Sequence, residues 1–262
     1  MMRYGVSFAL SDIFFTHFHA DHFLGVIGLI RTLGLQGRTE PMRFFGPRGA
    51  KRVLGAALGL GVERATFEVE VVEVEPGQIL SRGDYEIRAF AVEHGGGALG
   101  YALVEKDRLG RFNPDRAREL GVPEGPLWGK LQRSQSVTLE DGRVVGPESI
   151  VGAPRPGRKL VYTGDTRPCA AAVDAAAGAD LLVHEATFGE EEAERARETG
   201  HATAREAAQV ALAAGVRRLV LTHLSARYSR DPAPLLEEAR GVFAETTVAK
   251  DGLEIDVPYR DQ

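Results

Sequence analysis

Short runs of apolar residues alternate with segments of helical period along most of this chain. Residues 67–74 and 85–92 alternate apolar and polar positions, as half-buried strands do. The whole pattern predicts strands at 13–15, 43–46, 67–74, 85–92, 159–163, 181–183, 219–221 and 253–257, and helices at about 23–33, 48–60, 168–177, 203–214 and 232–243. Because strands and helices alternate, the fold class is α/β.

The alternating pattern stops between about residues 107 and 156. Six prolines and seven glycines interrupt this segment, and no regular element is predicted within it. A segment of this length inside a compact domain usually has a function. We therefore expect an inserted arm at 107–156 within a single domain that spans residues 1–262.

Composition narrows the class of protein. The chain has 262 residues, of which 44% are hydrophobic and 26% charged, as in folded globular domains. No apolar run approaches the roughly 20 residues of a membrane span, and no secretory leader is recognisable, so we expect a cytoplasmic protein without membrane contact. The single cysteine, Cys169, excludes an intramolecular disulfide and a cysteine-rich zinc site.

Net charge does not by itself indicate a nucleic-acid partner. The formal net charge is −5, which argues against binding through bulk electrostatic attraction. Charge is unevenly distributed, however, because residues 31–52 contain six basic residues and one acidic residue. A local basic surface is therefore compatible with the acidic total.

Histidine and aspartate residues follow several of the predicted strands. They are His17, His19, Asp21 and His22 after 13–15, His94 after 85–92, Asp165 after 159–163 and His223 after 219–221. The carboxyl ends of strands in α/β sheets are where ligands bind. We therefore expect these side chains to meet at one edge of the fold.

Residues 17–22 read His-x-His-x-Asp-His and are the strongest single indication of chemistry. Imidazole and carboxylate groups bind Zn²⁺ where thiolates are absent. His94 and His223 would add one ligand to each of two metals, and Asp165 would bridge them. Two metals about 3.5–4 Å apart deprotonate a bridging water, an arrangement typical of hydrolases. A polar surface loop, with Asp165 as a turn residue, is the alternative interpretation.

The segment His-Phe-His-Ala-Asp-His at 17–22 resembles the signature of the metallo-β-lactamase superfamily. That resemblance implies a four-layer αββα sandwich with a dinuclear metal site at one edge. Three further segments resemble the ribonuclease Z family of tRNA 3′-processing endonucleases: His-Glu-Ala-Thr at 184–187, Gly-His-Ala-Thr at 200–203, and Gly-Val-Pro-Glu-Gly-Pro-Leu at 121–127. The resemblance extends from about residue 3 to residue 228.

The resemblance implies specific ligands and roles. His17, His19, His94 and Asp165 would hold one zinc ion, and Asp21, His22, Asp165 and His223 the other, with Mn²⁺ as an alternative metal. Asp21 would also accept a proton as hydroxide attacks the phosphodiester, leaving a 3′-hydroxyl on the tRNA and a 5′-phosphate on the trailer. Glu185 would orient His201, which protonates the departing oxygen. His184 is expected to be structural.

Precursor tRNA is the partner that the resemblance implies, and members of this family are usually homodimers. Lys130 and Arg133 in the arm are candidates for gripping the tRNA elbow by shape and phosphate contact. Thr203 and Arg227 are further candidate substrate contacts. Thr203 has a second interpretation, because Thr203 and Glu206 have the spacing of a helix capping box.

The chain departs from the family pattern in two places. The loop that usually reads His-Ser-Thr has Ala202 in its centre, so a serine hydroxyl contact is missing. Family members also begin with strands ahead of the histidine cluster, whereas this chain starts shortly before it. We therefore expect a sandwich truncated at its N-terminus.

Three other functions are compatible with parts of the pattern. A related metal-dependent phosphodiesterase or ester hydrolase of the same fold would not need the arm. A thioesterase of the glyoxalase II type would lack both the arm and the His-Glu-Ala-Thr segment. A truncated and inactive RNA-binding fragment would bind metal poorly, because site geometry and folding are coupled.

Overall fold

The computed structural model describes residues 2–61 and 65–260. The predicted domain of 1–262 thus includes residue 1, residues 62–64 and residues 261–262, which lie outside the described part. The chain divides into two compact units. The sandwich unit comprises Met1–Val104 and Lys159–Val257, and the arm unit comprises Glu105–Arg158 and Pro258–Gln262.

The order of strands and helices follows the alternation in the sequence. The strands are β1 Asp12–Phe14, β2 Met42–Gly46, β3 Val69–Glu73, β4 Ile79–Arg82, β5 Tyr85–Ala91, β6 Leu99–Glu105, β7 Val137–Thr138, β8 Val144–Val145, β9 Lys159–Tyr162, β10 Leu181–Glu185, β11 Leu219–Thr222 and β12 Thr246–Val248. The helices are α1 Ala20–Phe23, α2 Gly25–Leu35, α3 Ala50–Leu58, α4 Pro114–Glu119, α5 Pro126–Gln132, α6 Ala170–Ala176, α7 Ala193–Thr199, α8 Ala204–Ala214 and α9 Ala233–Arg240. Among the described residues, no helix is both long and apolar enough to cross a membrane.

Two sheets form the centre of the sandwich unit. The smaller sheet has three parallel strands in the order β1-β2-β3. The larger sheet has seven strands in the order β12-β11-β10-β9-β6-β5-β4. Strands β9 to β12 are parallel, and β6 runs antiparallel to β9. Several strands therefore end at the same edge.

Alternation within one strand divides the apolar residues between two interfaces. Phe44 of β2 packs with Ile30 of α2 and Leu54 of α3, whereas Phe45, its neighbour in sequence, packs with Leu99 of the larger sheet. Successive side chains point to opposite faces of a strand, so one strand serves both a helix layer and the space between the sheets. Burial of a phenylalanine contributes about 1.5–3 kcal/mol.

The other face of the larger sheet is covered by α6, α8 and α9. Leu182 and Leu221 from β10 and β11 are buried in one cluster with Ala208 and Ala211 of α8. Small alanine side chains allow α8 to approach the sheet closely. The layers are therefore helix, sheet, sheet and helix, which confirms the expected αββα fold.

The arm unit contains regular elements where the sequence predicted none. Pro114 and Pro126 stand in the first turns of α4 and α5, where a missing backbone N–H costs nothing. The Trp128 ring packs against that of Phe112 in a tilted arrangement with centroids 5.0 Å apart, and its indole N–H donates to the carbonyl oxygen of Val122. The prolines here begin helices, and the unit has its own apolar cluster.

Some predicted elements differ from the structure. The strand predicted at 253–257 is wrong, because the last strand is β12, parallel to β11. Outside the arm unit the pattern also missed α1, β4, β6, α7 and β12. Strands β4 and β12 are edge strands of four and three residues, too short to show a period. The first four residues of β6 are all buried, so they show no alternation.

Candidate metal centre

The predicted metal ligands meet at one edge of the sandwich unit. His17 and His19 follow β1, and His94 follows β5. Asp165 follows β9 and His223 follows β11. Oxygen and nitrogen atoms from these positions lie within 4.8 Å of one another in overlapping groups of three. Residues that are far apart in the chain therefore meet because each of them follows a strand.

A single oxygen atom of Asp165 lies at the centre of four imidazole rings. Its Oδ2 is 3.2 Å from Nε2 of His22, 3.4 Å from Nε2 of His223, 3.7 Å from Nε2 of His17 and 3.9 Å from Nε2 of His94. The Asp165 side chain is 2% exposed. Four converging nitrogen atoms around one buried carboxylate oxygen form a donor set that suits bridged cations.

Hydrogen bonds to the second ring nitrogen orient two of these histidines. Nδ1–H of His94 donates a hydrogen bond to the carbonyl oxygen of Gly200 at 2.8 Å, so Nε2 carries the lone pair of the neutral ring. Nδ1 of His17 lies 3.1 Å from the hydroxyl of Thr16. Nε2 of His17 is buried and has no hydrogen-bond partner among the described residues. A buried nitrogen without a partner fits a metal ligand.

Electrostatics hold His17 and Asp165 in the forms that bind metal, whereas the hydrogen bond with Asp165 raises the pKa of His22, a further proposed ligand. Burial and the neighbouring His22 lower the pKa of His17 to about 4, so this ring is neutral at neutral pH. Burial acts to raise the pKa of Asp165, but the hydrogen bond with His22 and the charges of nearby histidines outweigh it. The pKa of Asp165 is therefore lowered, and its carboxylate is ionised.

Two groups of donors lie on either side of Asp165. One contains His17, His19 and His94, and the other contains Asp21, His22 and His223. In the first group, Nε2 of His94 is 3.1 Å from Nδ1 of His19, and in the second, Nε2 of His22 is 3.2 Å from Nε2 of His223. His17 is also grouped with His22 and Asp165, so the groups overlap, and the assignment of ligands to two separate metals stays a prediction.

A second network lies beside the histidines. Oε1 of the fully buried Glu185 is 2.8 Å from Nδ1 of His201 and accepts the backbone N–H of Thr166 at 2.8 Å. Its Oε2 accepts the hydroxyl of Thr187 at 2.7 Å. The His201 ring stacks on that of His223 with centroids 5.4 Å apart. The structure therefore brings His201 and Glu185 to the cluster, as expected.

His184 lies outside the cluster. Burial lowers its pKa, and Nδ1 is 2.7 Å from the carbonyl oxygen of Glu185. The sequence missed Thr187, which lies 2.9 Å from Nδ1 of His223 through its hydroxyl. Its place in the His-Glu-Ala-Thr segment was visible, but no spacing rule indicates which histidine a threonine will contact.

Backbone conformation places two of the ligand-bearing turns. His223 adopts φ +54°, which is uncommon for a residue other than glycine. Gly164 has φ +64°, and a Cβ at this position would lie 2.7 Å from Cγ2 of Thr16. Only glycine permits this close approach, which fixes the direction of the next residue, Asp165. Unusual backbone at such positions is typical of functional sites.

The side chains predicted to contact substrate differ in burial and in the partners that they already have. Thr203 is fully buried and forms a capping box with Glu206, so a phosphate contact would require that box to open. Arg227 forms an ion pair with Glu192. Lys130 and Arg133 are exposed on the arm unit. The acidic neighbours of Glu192 also make contacts, since Glu190 pairs with Arg205 and Glu191 accepts the hydroxyl of Tyr228.

Comparisons with known proteins agree on the fold and on the kind of enzyme. The family model described as a beta-lactamase superfamily domain matches residues 8–117 and 141–224. Ribonuclease Z of Gemmatimonas aurantiaca is 59% identical over 264 residues, which cover 100% of this chain and 84% of that protein. Ribonuclease Z of Myxococcus xanthus is also 59% identical, over 100% of this chain and 85% of that protein.

Solved structures give the same result. The short form of human tRNase Z superposes with a TM-score of 0.63 at 26% identity, covering 95% of this chain and 79% of that one. The metallo-beta-lactamase fold protein YhfI from Bacillus subtilis gives a TM-score of 0.61 at 20% identity, covering 93% of this chain and 76% of that one. The second similarity concerns the fold alone.

Proposed function

This chain belongs to the ribonuclease Z family of the β-lactamase superfamily, metal-dependent hydrolases that process tRNA 3′ ends, and we propose that it removes the 3′ trailer from precursor tRNA with two zinc ions. The products would be a 3′-hydroxyl on the tRNA and a 5′-phosphate on the trailer. Homodimer formation and a cytoplasmic location remain predictions.

The observation that carries the proposal is the position of Asp165 Oδ2 within 3.9 Å of four imidazole nitrogens. The proposed ligands are His17, His19, His94 and Asp165 for one zinc ion, and Asp21, His22, Asp165 and His223 for the other. Two bound zinc ions would supply an activated water nucleophile and neutralise charge on the phosphate. The unpartnered Nε2 of His17 supports this use of the site.

Asp21 is the proposed acceptor of the proton of the attacking water. Its side chain is 71% exposed, and Oδ2 lies 3.5 Å from Nε2 of His22 and 3.7 Å from Nε2 of His223. Burial acts to raise the pKa of Asp21, but its backbone hydrogen bond and the neighbouring histidines lower it overall. An ionised and accessible carboxylate beside the ligands suits a base rather than a packing role.

His201 is the proposed acid that protonates the 3′ oxygen as the bond from that oxygen to phosphorus breaks. Glu185 holds Nδ1, so Nε2 remains available for the substrate. Burial acts to lower the pKa of His201, but the hydrogen bond with Glu185 outweighs it and raises the pKa. Backbone N–H groups of Thr166, Thr187 and Ala202 also donate to Glu185, which fixes its orientation.

The arm unit supports tRNA binding through cations that the protein leaves available. Among the described residues, no carboxylate lies within 4.0 Å of the charged groups of Lys130 and Arg133. By contrast, Arg116, Arg118 and Arg143 pair with acidic residues of the same unit. Lysine and arginine side chains without partners are the groups that contribute most to phosphate binding.

Metal content and precursor cleavage test the proposal together. We expect two zinc ions per purified chain and a cut that leaves a 3′-hydroxyl, with loss of cleavage after chelation and recovery on adding Zn²⁺ or Mn²⁺. Gel filtration of the same sample measures the oligomeric state. Absence of precursor cleavage by a chain reloaded with two metals would overturn the proposed substrate.

A further inference from the structure

A cleft of about 300 Å³ lies beside one group of candidate metal ligands in the sandwich unit. His17 and His19 form one wall, and Arg48 and Arg52 form part of another. Three consecutive glycines, Gly95–Gly97, also line the cleft. None of these arginines or glycines has a role in the proposed chemistry, yet the cleft opens next to its ligands.

The two arginines are available for an anion. Arg48 precedes Gly49, the N-cap of α3, and Arg52 lies in the first turn of that helix. Both are exposed, and neither guanidinium lies within 4.0 Å of a carboxylate in residues 2–61 and 65–260. Arg43 and Arg82 of the same unit, in contrast, both pair with Asp12.

Two backbone N–H groups at the start of α3 already have a hydrogen-bond acceptor within the protein. Oε1 of Glu73 accepts the backbone N–H groups of Gly49 at 2.9 Å and Lys51 at 3.1 Å. An anion in the cleft would therefore be bound by the arginine side chains and not by free amides at the helix terminus. Glu73 does not line the cleft, whereas Arg48 and Arg52 do, so the charged side chains of the lining are positive.

The glycine wall leaves room for a polymer backbone. A Cβ at Gly95 would lie 3.9 Å from Nε2 of His19, whereas a Cβ at Gly96 or Gly97 would meet no atom within 4 Å. Gly96 and Gly97 have φ +68° and +103°, which side-chain-bearing residues rarely adopt. A wall without side chains permits a ligand to approach His19 closely.

We propose that this arginine cleft binds a phosphodiester of the RNA strand next to the one that is cut. The proposal rests on the function above, because it places the scissile phosphate at Asp165 and the neighbouring phosphate between Arg48 and Arg52. Guanidinium groups suit this task, since their planar donors match two phosphate oxygens at once. The cleft would thus set the register of the strand across the metal ligands.

The test compares a double variant, Arg48→Gln with Arg52→Gln, with the matched variant Lys51→Gln. Lys51 lies on the same helix turn with the same charge but does not line the cleft. Fluorescence anisotropy with labelled precursor tRNA, in an Asp21→Ala background that prevents cleavage, measures binding. We expect the double variant to weaken binding about 10- to 100-fold and to reduce the salt slope of log Kd by about 1–2, with Lys51→Gln within about 3-fold.

Hydrolysis separates failure of this proposal from failure of the proposed function. With Asp21 intact, the double variant should hydrolyse bis(p-nitrophenyl) phosphate, which has no second phosphate, at the normal rate, while KM for the precursor rises. Equal losses for Lys51→Gln would show a general basic field and overturn the cleft. A lower rate on the small ester would place the arginines at the cut phosphate and also overturn it. If normal protein binds but never cuts the precursor, the proposed function fails while the binding comparison still decides the cleft.

Discussion

The hydroxyl of Thr187 links a candidate metal ligand to the proposed general acid. It donates to Oε2 of Glu185 at 2.7 Å and lies 2.9 Å from Nδ1 of His223. Because its single proton is used toward Glu185, the hydroxyl accepts the Nδ1 proton of His223. His223 then presents Nε2 as a lone pair toward Asp165, 3.4 Å away. Hydrogen bonds of Thr187 thus link His223 to Glu185, which in turn contacts His201.

Replacing Thr187 with valine should weaken one metal site. Valine keeps the shape but loses the hydroxyl, so the His223 ring loses the contact that fixes its tautomer. We expect affinity for one of two zinc ions to fall about 10- to 100-fold, since partners of metal-binding histidines have effects of this size. Metal titration measures the zinc affinity, and kcat on precursor tRNA is measured beside it.

Two matched variants control for stability. Thr187→Ser keeps the hydroxyl and should restore most of the metal affinity. Thr246 is a buried residue of β12 whose hydroxyl donates to the carbonyl oxygen of Phe243, and Thr246→Val removes that hydroxyl. It should lower Tm without changing zinc content. If Thr187→Val binds both zinc ions normally, the hydroxyl does not position His223.

Asp21→Ala should abolish hydrolysis while leaving precursor tRNA binding within several-fold. The side chain is 71% exposed and lies beside His22, and we expect affinity to come from basic surfaces instead. Single-turnover cleavage and anisotropy measure the two effects separately. An equal loss of binding and turnover would contradict this division between chemistry and affinity.

Removing residues 109–151 should weaken tRNA binding and spare hydrolysis of bis(p-nitrophenyl) phosphate. The arm unit has its own apolar cluster, and antiparallel bridges pair Arg108 with Arg155 at its base, so a short linker can close the chain there. Loss of both activities would make the arm part of the fold.

A finer test of the arm uses charge alone. Lys130→Gln with Arg133→Gln should raise KM for the precursor about 10-fold, because each free cation contributes to phosphate binding. Arg116→Gln is the control, since Arg116 is already paired with Glu119 at 2.8 Å. A similar loss for the control would mean that the net charge of the arm, not particular side chains, determines affinity.

Gly164→Ala should destabilise the sandwich unit by about 2–4 kcal/mol, through strain at positive φ and overpacking. A Cβ there would lie 2.7 Å from Thr16, and relief of that contact must displace the adjacent Asp165. Denaturant unfolding measures the free energy, and zinc content of the folded variant measures the displacement. Unchanged stability would mean that Thr16 yields without cost.

Periodicity and strand-end residues predicted much of this molecule. The α/β class and the strands that precede His17, Asp165 and His223 follow from local patterns of apolar residues. Their meeting at one edge was expected because parallel strands end on the same side of a sheet. The arm was misjudged for a physical reason. Pro114 and Pro126 begin helices, whereas a pattern search treats every proline as an interruption.

The residue types of the site were determined by the sequence alone, since a histidine-aspartate set without cysteine thiolates favours only a few chemistries. Which nitrogen each histidine presents was decided by tertiary structure. Gly200 orients His94, which lies 106 positions away in the chain, and Thr187 orients His223, which lies 36 positions away. Hydrogen-bond geometry depends on tenths of an ångström, and only the packed layers place distant backbone and side-chain atoms at that precision.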